Sequence, residues 1–131
     1  MDRFMDNGDG TVTDNLTGLM WPKNANLPGT FKTWQQAVDF ANGLSLCDYR
    51  NWRLPTRKEL YSLSKFLRYD LTLLSRNTFL NMQSPYYWSS THNANNPGYA
   101  WIVPMRDGYV GYYSKSYNFN YVWPVRSTCK L

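Results

Sequence analysis

The apolar positions change rhythm along the chain. Residues 11–22 read as a β-hairpin: Thr11-Val12-Thr13 is β-branched, Asn15-Leu16-Thr17-Gly18 is turn chemistry, and Leu19-Met20-Trp21 is apolar before Pro22 closes the strand. Residues 23–32 follow no period and read as a loop. Trp34, Ala37, Val38 and Ala41 then recur at helical spacing. Thr33 with Gln36 three residues later forms a capping box in front of them, and Gly43 is the stop signal. In "DYRNWRLPT" Pro55 forces Leu54 out of helical geometry. Thr56 and Glu59 make a second capping box, opening a helix with Leu60, Leu63 and Leu67 as its buried stripe. Residues 70–84 are ambiguous, a short helical turn or a loop.

From Tyr86 the period becomes two. "YYWSS", "YAWIV", "YVGYY" and "YVWPV" read as four strands, punctuated by Gly, Asn, Asp and Pro. Within "YAWIVPM" the alternation selects Trp101 and Val103 as core-facing, and Val110 joins them. A hairpin, two helices and a run of antiparallel strands predict an α+β fold. The 131 residues fit one domain, 1–131, large enough for a core without metal or disulfide support.

Charge is unevenly placed. The net is +5, yet residues 1–30 carry four Asp against Arg3 and Lys23. Residues 50–68 hold Arg50, Arg53, Arg57, Lys58, Lys65 and Arg68 against Glu59 alone. Such a cluster is either a solvated helix face or a surface for nucleic acid, sulfated glycan or membrane; sulfated polysaccharide is the alternative retained, and no nucleic-acid partner is expected. No apolar run approaches the roughly 18 to 20 residues of a membrane span, so membrane insertion is not expected. Met1-Asp2-Arg3-Phe4 does not open a basic-then-apolar leader; the reading is a protein without a cleaved signal, or an excised domain.

Candidate chemistry is sparse. "DNGDGTVTDNLTG", residues 6–18, looks like a calcium loop. With Gly10 at loop position 6, however, position 1 is Met5 and position 12 is Leu16, so two ligands are missing. Asn7-Gly8 and Asp9-Gly10 are turn dipeptides and account for the residues. Cys47 and Cys129 are open to three readings: a disulfide, a redox or metal pair, or two separate thiols. His92 is the single histidine, and no nucleophile elbow, phosphate loop or carboxylate pair accompanies it. The expectation is a non-enzymatic protein without cofactor or metal.

Aromatics change the picture. From Tyr86 to Trp123 there are twelve, eight of them Tyr, interleaved with Asn, Ser and Gly. Rigid amphipathic rings beside adaptable hydrogen-bonding groups are the composition of a binding surface. Tyr112 and Tyr113 are adjacent, and a strand buries only one of its alternating faces. The predicted ligand surface spans 92–120. Tyr99, Tyr109, Tyr112, Tyr113, Tyr117 and Phe119 supply stacking there. His92, Asn93, Asn95, Asn96, Arg106, Lys115, Asn118 and Asn120 supply polar contacts. The alternative surface is the basic patch Arg50, Arg57, Lys58, Lys65 and Arg68.

"RFMDNGDGTVTDNLTGLMW", "TWQQAVDFANGLSL", "NWRLPTRKEL", "YYWSST", "YAWIVPMRDGYV" and "YVWPVRS" occur in this order. Together they resemble the Legionella collagen-like protein C-terminal domain family over about residues 3 to 127. The resemblance implies a C-type lectin-like fold, in the branch related to formylglycine-generating enzymes. It implies a ligand-binding module of an exported or cell-surface adhesin, with a glycan or protein receptor as partner. Some members of this branch are variable proteins of diversity-generating retroelements, whose display region matches 92–120 in position. The placement of Cys47 and Cys129 is closer to the long-range disulfide of C-type lectin domains than to an enzymatic cysteine pair. Two departures stand out: Trp123 occupies a position where relatives usually carry Arg, and the collagen-like repeat is absent. Ligand identity and oligomeric state are beyond the sequence.

Overall fold

The computed structural model describes residues 3–47, 49–69, 78–83, 86–105, 110–116 and 118–128. It is an α+β fold of two antiparallel sheets and two helices. The first sheet joins β1 (Phe4–Asp6), β2 (Thr11–Asp14), β3 (Leu19–Pro22) and β7 (Arg126–Ser127), in that order. The second joins β4 (Tyr87–Asn93), β5 (Asn96–Val103) and β6 (Gly111–Ser114). Between the sheets in sequence lie α1 (Trp34–Asn42) and α2 (Arg57–Tyr69). The first and last strands lie at opposite edges of the first sheet, and β7 is held there by β3: Leu19 pairs with Ser127 and the Thr128 N–H donates to the Gly18 carbonyl at 2.8 Å.

The acidic opening is turn chemistry. Asp6 accepts from the Gly8 N–H at 2.9 Å, and Asp9 accepts from the Thr11 N–H at 3.0 Å. Gly8 and Gly10 take φ of 78° and 96°, the left-handed region that side chains disfavour. The carboxylates are further committed to cations: Asp6 to Lys23, and Asp14 through both oxygens to Arg3 at 2.8 Å. Among the described residues no group of three or more His, Cys, Asp or Glu could hold a metal ion.

Both predicted capping boxes form. The Thr33 hydroxyl accepts from the Gln36 N–H while the Gln36 side chain accepts from the Thr33 N–H. Thr56 and Glu59 do the same for α2, at 3.2 and 2.8 Å. Gly43 ends α1 in right-handed rather than left-handed geometry, its N–H returning to Asp39 and Ala41 carbonyls. Leu60, Leu63 and Leu67 are buried on α2 as the stripe required.

The core has two parts. One packs the first sheet and α2 around Trp21, Leu63, Phe79, Tyr87, Val103 and Trp123. The other packs α1 against the second sheet through Ala37, Ala41, Leu54, Trp88, Ala100, Ile102 and Val122. The segment 121–125 runs between them. Val122 turns to one core; Trp123 and Val125 turn to the other. This corrects the expectation of a last strand at "YVWPV". The segment has strand-like alternation because it separates two cores, but it makes only single bridges, to Tyr87 and Arg53. The last strand proper is Arg126–Ser127, and β1 was not anticipated at all. Trp123 is fully buried, 5.0 Å from Phe79, 5.5 Å from Trp21 and 5.6 Å from Tyr87 between ring centroids, with its Nε1–H donating to the Pro22 carbonyl. Each such aromatic pair contributes about 0.5–1.5 kcal/mol beyond area burial. Trp123 is therefore core and carries no anion contact.

A basic and aromatic candidate functional site

The second sheet fixes where each predicted binding residue goes. Residues directly opposite in adjacent strands share a face. Trp101 opposes Tyr112, and Tyr99 opposes Ser114. Tyr99, Trp101 and Tyr112 therefore form one group on one face: the Tyr112 ring meets Trp101 at 5.3 Å and Tyr99 at 5.8 Å, edge to face. Ala100 opposes both Tyr113 and His92, which places those two on the other face, over α1.

Helix α2 begins over the first group. Its opening turn is tied to β4 by the Arg57 N–H donating to Thr91 Oγ1 at 2.9 Å, and the Ser90 N–H donates to the Pro55 carbonyl at 2.8 Å. This anchoring sets the Arg57 guanidinium 4.4 Å from the centre of the Trp101 ring, a cation–π contact worth about 0.5–2 kcal/mol depending on desolvation. Beside it, Arg57, Lys58, Tyr61 and Val110 line a cleft of about 400 Å³. Lys58, Tyr61 and Lys65 lie on the exposed side of α2, opposite the leucine stripe.

The charges in this region differ in their commitments. Arg53 is clamped by Glu59 through two hydrogen bonds at 2.7 and 2.8 Å. Burial pushes the Glu59 carboxyl up, but hydrogen bonds from Arg53 and the Thr56 N–H outweigh it and hold the group below the usual carboxylate range. The same pair raises Arg53 further. Arg57, Lys58 and Lys65 have no carboxylate partner among the described residues.

The remaining predicted residues fall elsewhere. On the α1 side, Lys115 lies 4.0 Å from the centre of the Trp34 ring and hydrogen-bonds His92 Nδ1, while Tyr113 meets Tyr86 at 5.7 Å. Burial pulls the Lys115 ammonium below its usual range. Asn93, Asn95 and Asn96 form the β4–β5 tip, where Asn93 and Asn96 side chains accept from the Asn95 and Gly98 N–H groups. Phe119 is exposed and packs on Phe31 at 5.7 Å; Asn118 donates to the Ser114 carbonyl. Asn120 is buried, with its backbone paired to Lys32, so it does not face a ligand as expected. Arg50 lies by the first sheet, its carbonyl accepting from Arg126. Arg106, Tyr109, Tyr117, Cys129 and the side chain of Arg68 lie outside the described residues, and with Cys129 the disulfide question. Cys47 is exposed, with its thiol against the Asp9 carbonyl.

Trp101 was expected in the core and is instead half-buried on the open face; Ala100 and Ile102 are the buried members of β5. Val103 is buried as expected, and Val110 packs partly against the first core while lining the cleft. Tyr61 was missed as a cleft residue. The signal for Trp101 was present: period two places it with Tyr99, whose hydroxyl favours a wet surface.

No helix among the described residues is long and apolar enough to cross a membrane. A search of curated proteins finds no match. The model of the Lcl C-terminal domain matches residues 10–126, which take in α1, α2, β2 to β6, the first residue of β7, and the whole of this surface. The chain belongs to the Lcl C-terminal domain family.

Proposed function

We propose that this protein is a non-catalytic binding module for an anionic glycan, held on the surface formed by α2 and the open face of β5 and β6. The carrying observation is Arg57 over the Trp101 ring, at 4.4 Å, because it joins the basic patch to the aromatic strands. Sugar rings stack on aromatic faces, and exposed Tyr112 offers one beside half-buried Tyr99, while Arg57 already covers part of half-buried Trp101. Arg57 and Lys58 then pair with sulfate or carboxylate groups at the cleft, where no protein carboxylate competes among the described residues. The two surfaces expected separately thus act as one. A C-type lectin-like fold, as in an extracellular adhesin, accommodates this reading: the first and last strands share one sheet and the second sheet presents the ligand. Residues 92–120 also suit a diversified display region of a retroelement-linked variable protein. A neighbouring reverse transcriptase with a near-copy of the C-terminal coding segment is the test of that refinement.

The deciding experiment is a glycan array of sulfated and desulfated polysaccharides, repeated with Arg57→Glu plus Lys58→Glu. Binding restricted to sulfated or uronate-bearing chains, weakened by moderate salt and abolished by the double variant, is expected. Equal binding to desulfated chains that carry no uronate rejects the reading. An enzyme of the formylglycine-generating type is the remaining alternative; it requires oxidation of a substrate cysteine that Cys47→Ser abolishes.

A further inference from the structure

The outer face of the first sheet carries a second cleft. Met5, Thr13, Met20 and Arg126 oppose one another in turn across β1, β2, β3 and β7, so one row of side chains crosses the whole sheet. Asn7, Tyr49 and Thr128 complete the walls of a space of about 390 Å³. Met5 is half-exposed at its edge and Met20 is buried in its floor.

Arg126 is the only cation in this lining among the described residues. Its guanidinium lies 4.6 Å from the centre of the Tyr49 ring, and Nε donates to the Arg50 carbonyl at 3.0 Å. Nη1 reaches only the Met20 sulfur, at 3.8 Å, and a thioether is a weak acceptor. Arg3 and Arg53 are each closed by a carboxylate; Arg126 has none among the described residues. Nearby, Thr13 Oγ1 accepts from Asn7 at 2.9 Å, which leaves its own O–H to donate. A positioned fork of N–H donors thus stands at an adaptable, sulfur-rich apolar floor.

We propose that this cleft binds a small organic carboxylate with an apolar tail. The carboxylate pairs with the Arg126 guanidinium and Thr13 hydroxyl, and the tail lies over Met5 and Met20. No residue is shared with the Arg57–Trp101 surface, so the two sites stand or fall separately.

The test is titration of the full chain, labelled at the methionine methyls, with octanoate and with 1-octanol. Octanoate is expected to shift the Met5 and Met20 methyls saturably, with a Kd of about 1 mM or tighter. Met82 and Met105 stay fixed. The alcohol binds at least about tenfold more weakly, since it cannot form the charged pair. Arg126→Gln erases the preference for octanoate. Because that change also removes a bond to the 49–50 loop, Met5→Glu at the half-exposed rim is the second variant. It keeps the fold and weakens octanoate at least about tenfold. Equal affinity for acid and alcohol, shifts confined to other methionines, or unaltered binding by Met5→Glu overturns the proposal.

Discussion

Tyr112 and Tyr113 are neighbours in one strand and belong to two different environments. Tyr112, 48% exposed, shares its face with Trp101, Tyr99 and a guanidinium. Tyr113, 38% exposed, stands on the face that α1 covers, where Trp88, Ala100 and Ile102 are wholly buried. Both faces are aromatic, so composition does not distinguish them. The difference lies in the helix above. Helix α1 closes its face with small residues, Ala37 and Ala41, that let sheet and helix approach. Helix α2 buries its leucines in the other core, with Tyr87 and Val103 of the second sheet among their neighbours, and its opening turn, tied to Thr91, brings Arg57 over Trp101 beyond that core. Trp88 under α1 is therefore buried, whereas Tyr112 beside the start of α2 stays exposed.

The sharpest way to break this comparison is to truncate one indole on each face. Trp88→Ala empties a fully buried site and leaves the Lys32 carbonyl without the indole donor it has at 2.8 Å. A loss of about 3–5 kcal/mol is expected, enough to unfold much of the population at 37 °C. Trp101→Ala removes a half-buried ring from the open face. It should cost about 1–2 kcal/mol, mainly the stacking on Arg57 and Tyr112, while reducing anionic-glycan binding at least about tenfold. Urea denaturation of both variants, with binding measured on the folded fraction, checks the pair. Equal destabilisation by the two would erase the distinction between the faces.

Much of this fold was legible where the determining contacts are local. Both capping boxes, the 11–22 hairpin and the leucine stripe of α2 are set by residues within a few positions of one another, and all three formed. The turns of 6–10 were legible for the same reason. What was not legible depends on distant partners. Whether 121–125 joins a ladder depends on what lies on either side, and two cores lie there. Whether Trp101 is core depends on where α2 rests its first turn. The basic patch and the aromatic strands were each visible in the sequence, but their union needs Arg57 brought to Trp101, which no periodicity encodes. Arg50 was grouped with that patch by sequence proximity alone, and the loop carries it to the first sheet instead.

A milder test uses acid to loosen the start of α2 while sparing the α1 side. Glu59 both caps α2 and clamps Arg53, and its folded pKa is below its unfolded value. Its stabilisation is thus fully present above the ordinary glutamate range and is lost as pH falls through the lowered folded value. Asp14, held down by Arg3, Thr17 and Leu16 against the upward push of burial, behaves alike in the first sheet. Glu59→Gln keeps part of the cap and removes the ion pair, so a loss of about 1–2 kcal/mol at neutral pH is expected, with a flatter stability profile below pH 5. Hydrogen exchange should show the change at the first turn of α2 and not in α1. Uniform loss across both helices would mean that the two faces are coupled more tightly than their separate cores imply.

The smallest expected effect sharpens the other side. On the α1 face of the sheet Lys115 rests on the Trp34 ring and is bonded to His92. Its folded pKa is lowered by burial, so protonation is less favourable in the folded state than in the unfolded chain. The burial penalty offsets the gain from the ring, so Lys115→Met, which keeps the aliphatic stem on the indole, should change stability by no more than about 0.5–1 kcal/mol in either direction. It should leave anionic-glycan binding unaltered, although it removes a positive charge from the stretch that sequence alone assigned to the ligand. Arg57→Met, by contrast, keeps a stem over Trp101 and should abolish that binding at a similar cost in stability. If Lys115→Met weakens the glycan as much as Arg57→Met does, the ligand reaches around the edge of the sheet, and the boundary between the faces is not where α1 and α2 draw it.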